Sequence, residues 1–211
     1  MTREQADRAR RILAPGPDGA RRYRAGFPGA GPDELHEAVN SDWLFRMPSL
    51  HLAQAHHDAG ARAHLYELTW PAPGLGGILG ACHGLDVPLV FGNLDRGQPA
   101  ALIGDGPSPG AEALSAQMRA AWTRFAAAGD PGWPAYDSEH RLTQLYDAQP
   151  KVAPYPRRDL TPHLAAPHLR PADTAQLIFR QYSASGVLAG SYVTQALEVC
   201  LGNRGAWRPY R

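Results

Sequence analysis

The sequence predicts an α/β fold in which parallel-sheet strands are flanked by helices, and three stretches carry that reading. Ala63 to Trp70 is short, mostly apolar, and closed by Pro71-Ala72-Pro73-Gly74. A nearly continuous apolar strand suits a parallel sheet covered on both faces. Ser108-Pro109 opens a helix, a capping residue followed by proline at the first position, and Leu114, Met118, Ala121, Trp122 and Phe125 then fall on one face. That stripe is core, so Trp122 and Phe125 take packing roles. Leu142 to Tyr146 supplies a second short strand. A chain of 211 residues is long enough to bury a real core in one domain or little more. With 44% hydrophobic and 19% charged residues, the composition is that of an ordinary soluble globular protein. A formal net charge of +1 gives no electrostatic case for nucleic acid or an anionic membrane.

The other elements follow in chain order. Thr2 to Leu13 reads as a short helix with Thr2 as N-cap and Gln5 three residues on, ended by Pro15-Gly16-Pro17. The start is polar, lacks the apolar core of a signal peptide, and fits a cytoplasmic protein. No apolar run approaches the roughly 18 residues of a membrane span. Pro32 to Asn40 begins a second helix, with Leu35 and Val39 one turn apart. Ser41 or Asp42 is expected to cap a third, running to about Ala59 with an irregularity near Pro48 and a stop at Gly60. His51, His56, His57 and His64 invite a metal reading, but no acid or cysteine stands at ligand spacing, and a solvated helix face outweighs it. The glycines of Pro73 to Gly80 form no dinucleotide or phosphate-cradling pattern, and the loop is expected to line a pocket mouth. Asp95 to Gly110 reads as a polar surface loop, and Gly129 and Pro131 end the helix that follows. Cys82 and Cys200 lie far apart and form no redox or metal motif.

The stretch with the most chemistry is Gly80 to Gly92, Gly-Ala-Cys-His-Gly-Leu-Asp-Val-Pro-Leu-Val-Phe-Gly. Small neighbours allow a sharp turn that leaves the His83 ring at the rim of the fold. Imidazole is the usual proton shuttle near neutral pH, so one reading makes His83 a general base in a cleft. The other is a loop histidine bonded to a backbone carbonyl, and for a lone histidine that reading carries the greater weight.

A resemblance reverses the balance. His83-Gly84-Leu85-Asp86 followed by Val90-Phe91-Gly92 resembles the histidine region of the type-B carboxylesterases, the α/β-hydrolase family that includes nitrobenzyl esterases and cholinesterases. Ser41-Asp42-Trp43-Leu44-Phe45-Arg46-Met47-Pro48 is similar to the family's Asp-x-x-Phe-Arg-x-Pro helix, and Leu65 to Pro71 to the strand before its histidine loop. Trp122-Thr123-Arg124-Phe125 with Gly129-Asp130-Pro131, then Trp133-Pro134-Ala135-Tyr136, are similar to its next two elements. These ordered matches span roughly Met1 to Asp147 and only the last third of a full family member.

The resemblance implies the C-terminal segment of an α/β-hydrolase fold: late parallel-sheet strands with flanking helices and an incomplete sheet, with apolar surface exposed. It implies a carboxylic-ester hydrolase acting through an acyl-serine, with His83 as the catalytic base, no cofactor and no metal. The partner would be a small-molecule ester once the fold is completed, with no nucleic acid and no membrane. No serine of the chain stands in a Gly-x-Ser-x-Gly turn, and Gly76-Gly77 comes too late to be the oxyanion loop. The triad acid would precede Met1, and Asp86 matches the acid after the histidine instead. The expectation is therefore a chain that is inactive alone, or else a non-catalytic cholinesterase-like interaction module or gene remnant. Residues 1–148 form the esterase-like part, 149–171 a proline-rich linker, and 172–211 an unassigned tail with some helical character.

Overall fold

A computed structural model describes residues 18–97 and 100–155 and the backbone of residues 197–202. The helix expected over Thr2–Leu13 lies outside the described residues, as does most of the tail. Strand β1 (Arg62–Leu68) is buried at every position after the first and separates two apolar clusters. Alternation along a strand sends successive side chains to opposite faces. Ala63 and Leu65 pack among Val39, Met47, Leu50 and Ala53, whereas Tyr66 and Leu68 pack among Leu85, Leu89, Leu114 and Met118. This is the two-sided burial that the apolar run predicts.

β1 belongs to a four-stranded mixed sheet in the order β3-β2-β1-β4. β2 (Leu142–Tyr146) runs parallel to β1, Leu65 facing Thr143 and Leu68 facing Tyr146. Two edge strands correct the reading of the last third. β3 (Lys151–Pro154) pairs antiparallel with β2, and Tyr155 behind it is only 1% exposed. The stretch 149–171 thus begins as part of the sheet, not as a linker. Proline lacks a ladder N–H but is tolerated on an edge strand, so proline content there does not exclude a strand. β4 (Leu197–Gly202) pairs antiparallel with β1, where helical character was expected. Leu197, Val199 and Leu201 alternate with Glu198 and Cys200, which is the strand period.

On one face lie α1 (Gly19–Gly26), α2 (Pro32–Ser41) and α3 (Met47–Asp58). Pro32 takes the first position of α2, and Glu34 reaches back to accept from the Gly31 N–H at 2.8 Å, half of a capping box. Neither Ser41 nor Asp42 caps a new helix. α2 instead passes into α3 through a π-helical turn, Asp42–Arg46, in which the Met47 N–H donates to the carbonyl of Asp42 five residues back. The irregularity expected at Pro48 is this widened turn just before it. Gly60, in the left-handed region at φ 74°, ends the run as read.

The opposite face carries α4 (Asp86–Phe91), one short turn α5 (Ala100–Ile103), and the long α6 (Pro109–Ala128). Ser108 caps α6 by accepting from the Ala111 N–H at 3.2 Å, and Gly129 stops it at φ 68°. The segment read as a surface loop contains α5, whose Ile103 is buried. Its backbone lies where a Cβ on Gly74 would have to go, so only glycine fits there.

Charge is buried at the centre of the helical face. Arg46 donates through Nη1 to Asp42 Oδ1 at 2.8 Å and through Nε to Glu67 Oε1 at 3.1 Å. The Tyr23 hydroxyl donates to Asp42 Oδ2 at 2.9 Å. Asp42, Arg46 and Glu67 are each 1% exposed. Burial opposes the charge on Arg46, but the two carboxylates outweigh it and keep the guanidinium firmly protonated. Removing one member of a buried ion cluster strands the others, at a cost of about 3–5 kcal/mol. Arg46→Ala is expected to lower unfolding stability by that amount in a urea titration. Arg21→Ala, which loses only the exposed pair with Asp18, should shift it by under about 0.5 kcal/mol. Equal shifts for the two would refute the assignment.

His64 corrects the solvated-histidine reading, since it points from β1 into the second face and is 0% exposed. Its Nδ1 lies 3.0 Å from the carbonyl of Trp133, which can only accept, so that nitrogen carries the proton. Its ring meets Phe125 and Trp133 edge-on, and Nε2 is buried with no hydrogen-bond partner among the described residues. Burial holds the imidazole below its ordinary pKa, the Trp133 carbonyl partly opposing. The unfolded chain takes up this proton near pH ~6.5 while the folded chain resists it. Stability from His64 is therefore fully present above about pH 6.5 and lost as pH falls below it. Urea midpoints taken between about pH 7.5 and pH 5 should fall more steeply for the wild-type chain than for His64→Leu. Parallel pH profiles would exclude this role.

Candidate active-site histidine

His83 is placed by a loop that leaves the C-terminal end of β1 and returns to it. The Thr69 and Trp70 N–H groups both donate to the carbonyl of Tyr146, at 2.8 and 3.0 Å, tying the ends of the two parallel strands together. Ala72 is fully buried, and its N–H donates to Gly80 at 2.8 Å, closing the glycine-rich excursion between them. Inside that excursion Leu75 and Gly76 adopt positive φ, 52° and 70°, around a 3₁₀ turn. Closure brings Cys82, His83 and Gly84 back beside the strand end, the edge at which open α/β sheets bind ligands.

The turn itself alternates anchors with an exposed ring. Cys82 is buried and Leu85 wholly so, while His83 between them is exposed. The Leu85 N–H donates to Cys82 at 3.3 Å, and Gly84 adopts φ 80° with open space around it. Leu85 and Leu89 enter the cluster that holds Tyr66 and Met118. The Ser115 hydroxyl of α6 donates to the Leu89 carbonyl at 2.7 Å and fixes α4 from below. Burial raises the Cys82 thiol above its ordinary pKa, which leaves it a poor nucleophile.

The His83 ring stacks on Phe45 of the π-helical turn, with centroids 4.9 Å apart and planes inclined by 29°. Among the described residues the imidazole meets this one ring, and no carboxylate or hydroxyl is bonded to it. Asp86 opens α4 instead of meeting the ring. An exposed imidazole covered on one face can accept a proton from a hydroxyl brought to its edge and give it back to a leaving group. Phe45 is the residue that sequence reasoning passed over. It stands inside the matched motif, but nothing local signals a partner so far along the chain.

The remaining histidines do not join it. His56 and His57 lie in the last turn of α3, where His57 meets the Tyr136 ring edge-on at 6.0 Å. Among the described residues no group of three or more histidine, cysteine or acidic side chains is placed to hold a metal ion. No described helix is long and apolar enough to cross a membrane. Leu75, Ile78, Val87 and Phe91 are large, apolar and exposed, all on the two segments that flank His83 in the chain.

No family model matches the chain. Among curated proteins it is similar to carboxylesterase 4A of Bos taurus, 33% identical over 117 residues, which is 50% of this chain and 20% of the relative. It is similar also to the para-nitrobenzyl esterase of Bacillus subtilis (strain 168), 31% identical over 133 residues, 58% of this chain and 25% of that protein. Among solved structures, a Geobacillus stearothermophilus carboxylesterase superposes with a TM-score of 0.66 at 28% identity, covering 78% of this chain and 35% of that one. A PNB esterase superposes with a TM-score of 0.60 at 25% identity, covering 79% and 34%. The chain resembles the type-B carboxylesterases in sequence, and its sheet and helices form a segment of the α/β-hydrolase fold. It spans about a fifth to a quarter of the length of these curated relatives.

Proposed function

We propose that this chain is the histidine-bearing part of a serine carboxylesterase and that His83 is its general base. The observation that carries the reading is an exposed imidazole on a turn at the C-terminal end of a parallel strand, in a chain that resembles carboxylesterases. In the reaction, a serine hydroxyl supplied outside these 211 residues attacks the ester carbonyl while His83 takes its proton. His83 then returns the proton to the departing alcohol, and the same exchange with water releases the acid. The relatives' names support small esters, such as para-nitrobenzyl esters, as the substrate class.

Catalysis by the 211 residues alone would lack the hydroxyl nucleophile and the donors that stabilise the oxyanion, so no saturable hydrolysis of nitrophenyl esters above that of free imidazole is expected. Co-expression with the N-terminal portion of a related carboxylesterase should restore turnover. His83→Ala should then remove about 10²–10⁴ of the rate or more. His57→Ala, on the exposed end of α3, should leave it within about threefold. Recovered turnover that survives His83→Ala would overturn the assignment. A folded complex that binds but never turns over would favour a non-catalytic interaction module.

A further inference from the structure

The ring that His83 rests on belongs to a segment fixed by buried charge. Phe45 is carried by a π-helical turn, and its neighbour Arg46 is locked between Asp42 and Glu67 with 1% exposure. π turns displace side chains from the regular helical spacing and recur at functional sites. Glu67 lies on β1, the strand whose end leads into the histidine loop. The backbone of Phe45 and the loop of His83 are thus referred to one buried charge cluster. Between them stands a stacked pair within the range of favourable aromatic contact, 4.9 Å between centroids.

The histidine turn needs such a support. Gly84 has open space around it, and His83 is exposed between buried neighbours. No hydrogen bond fixes its ring among the described residues. An imidazole in that situation can rotate among its side-chain wells. A base is useful only when one nitrogen meets the hydroxyl at hydrogen-bond distance.

We propose that Phe45 is the positioning residue of His83, its ring face selecting the imidazole orientation that presents one edge to the nucleophile. The inference rests on the reading of His83 as the base. A stacked pair of this kind biases the ring between orientations by about two- to twelvefold. The turn that carries Phe45 is tied to β1 through Arg46 and Glu67, whereas the His83 ring has no such tie, so the bias acts chiefly on His83.

Two measurements test this, and they fail separately. In the full chain, the His83 ring protons lie over the Phe45 face and should resonate upfield of a free histidine in NMR spectra. Phe45→Leu, which keeps bulk without a ring face, should move them downfield. Phe45→Tyr should leave them in place, and circular dichroism should be unchanged in both. In the chain completed with the N-terminal portion of a related carboxylesterase, Phe45→Leu should lower kcat by about two- to twelvefold with KM little changed. Phe45→Tyr should restore kcat. His83 signals that do not move in Phe45→Leu overturn the positioning contact, whatever the catalytic result. Signals that move while kcat stays constant overturn its role in the reaction. Activity that survives His83→Ala, with the ring shifts as expected, rejects His83 as the base while leaving the stacked pair in place.

Discussion

Arg46 is the constraint on which the rest depends. A guanidinium taken out of water loses several kcal/mol of hydration, and only well-placed carboxylates offset that. Asp42 comes from four residues back on the same helix, whereas Glu67 comes from the central strand. The pair of bonds therefore fixes the height and rotation of the π-helical turn against β1. Tyr23 adds α1 to the same cluster through Asp42. Hydrophobic residues of the same volume could pack there with no loss of stability. What they could not supply is the directional tie that fixes one helix turn against one strand residue.

β1 passes that constraint across the sheet. Its odd positions, Ala63, Leu65 and Glu67, face the first three helices, and its even positions face α4 and α6. A shift of one residue in register would put Glu67 among Leu85, Leu89 and Met118 and take from Arg46 one of its two carboxylates. Apolar pattern and buried charge thus specify the same register, a consistency between levels that favours one structure. The histidine turn inherits its position from that register through the backbone bonds to Tyr146 and Gly80.

Much of this is legible in the sequence, and the parts that are not share a physical cause. Ser108-Pro109 and Gly129 bound α6 because caps and left-handed glycines act within one turn of chain. The strand Arg62–Leu68 shows in its apolar run, and the turn at His83 in its small neighbours. The π-helical turn does not show. Ser41 and Asp42 are good caps by residue type, and only Arg46 and Glu67 together explain why Asp42 is spent inside a helix instead. His64 looks like another surface histidine until Trp133, far along the chain, supplies its carbonyl. β3 hides in a proline-rich stretch because an edge strand tolerates what a central strand would not.

The two edges of the sheet bear on how a further strand could be received. A parallel pair such as β1 and β2 is the core of a larger sheet in this fold class, and unpaired edges invite strand addition. On the far side, β3 carries Pro154 opposite Leu142, and proline offers no N–H to a further strand. The edge of β1 has no such block in its own sequence, since Arg62 to Leu68 contains no proline. That edge is the one β4 covers, antiparallel, over Arg62 to Glu67. An added parallel strand would need those same backbone groups. Extension of the sheet at β1 therefore exchanges one set of ladder bonds for another, and its net gain must come from apolar burial on the two faces. Leu75, Ile78, Val87 and Phe91, exposed on the segments beside His83, are where such burial is still to be had.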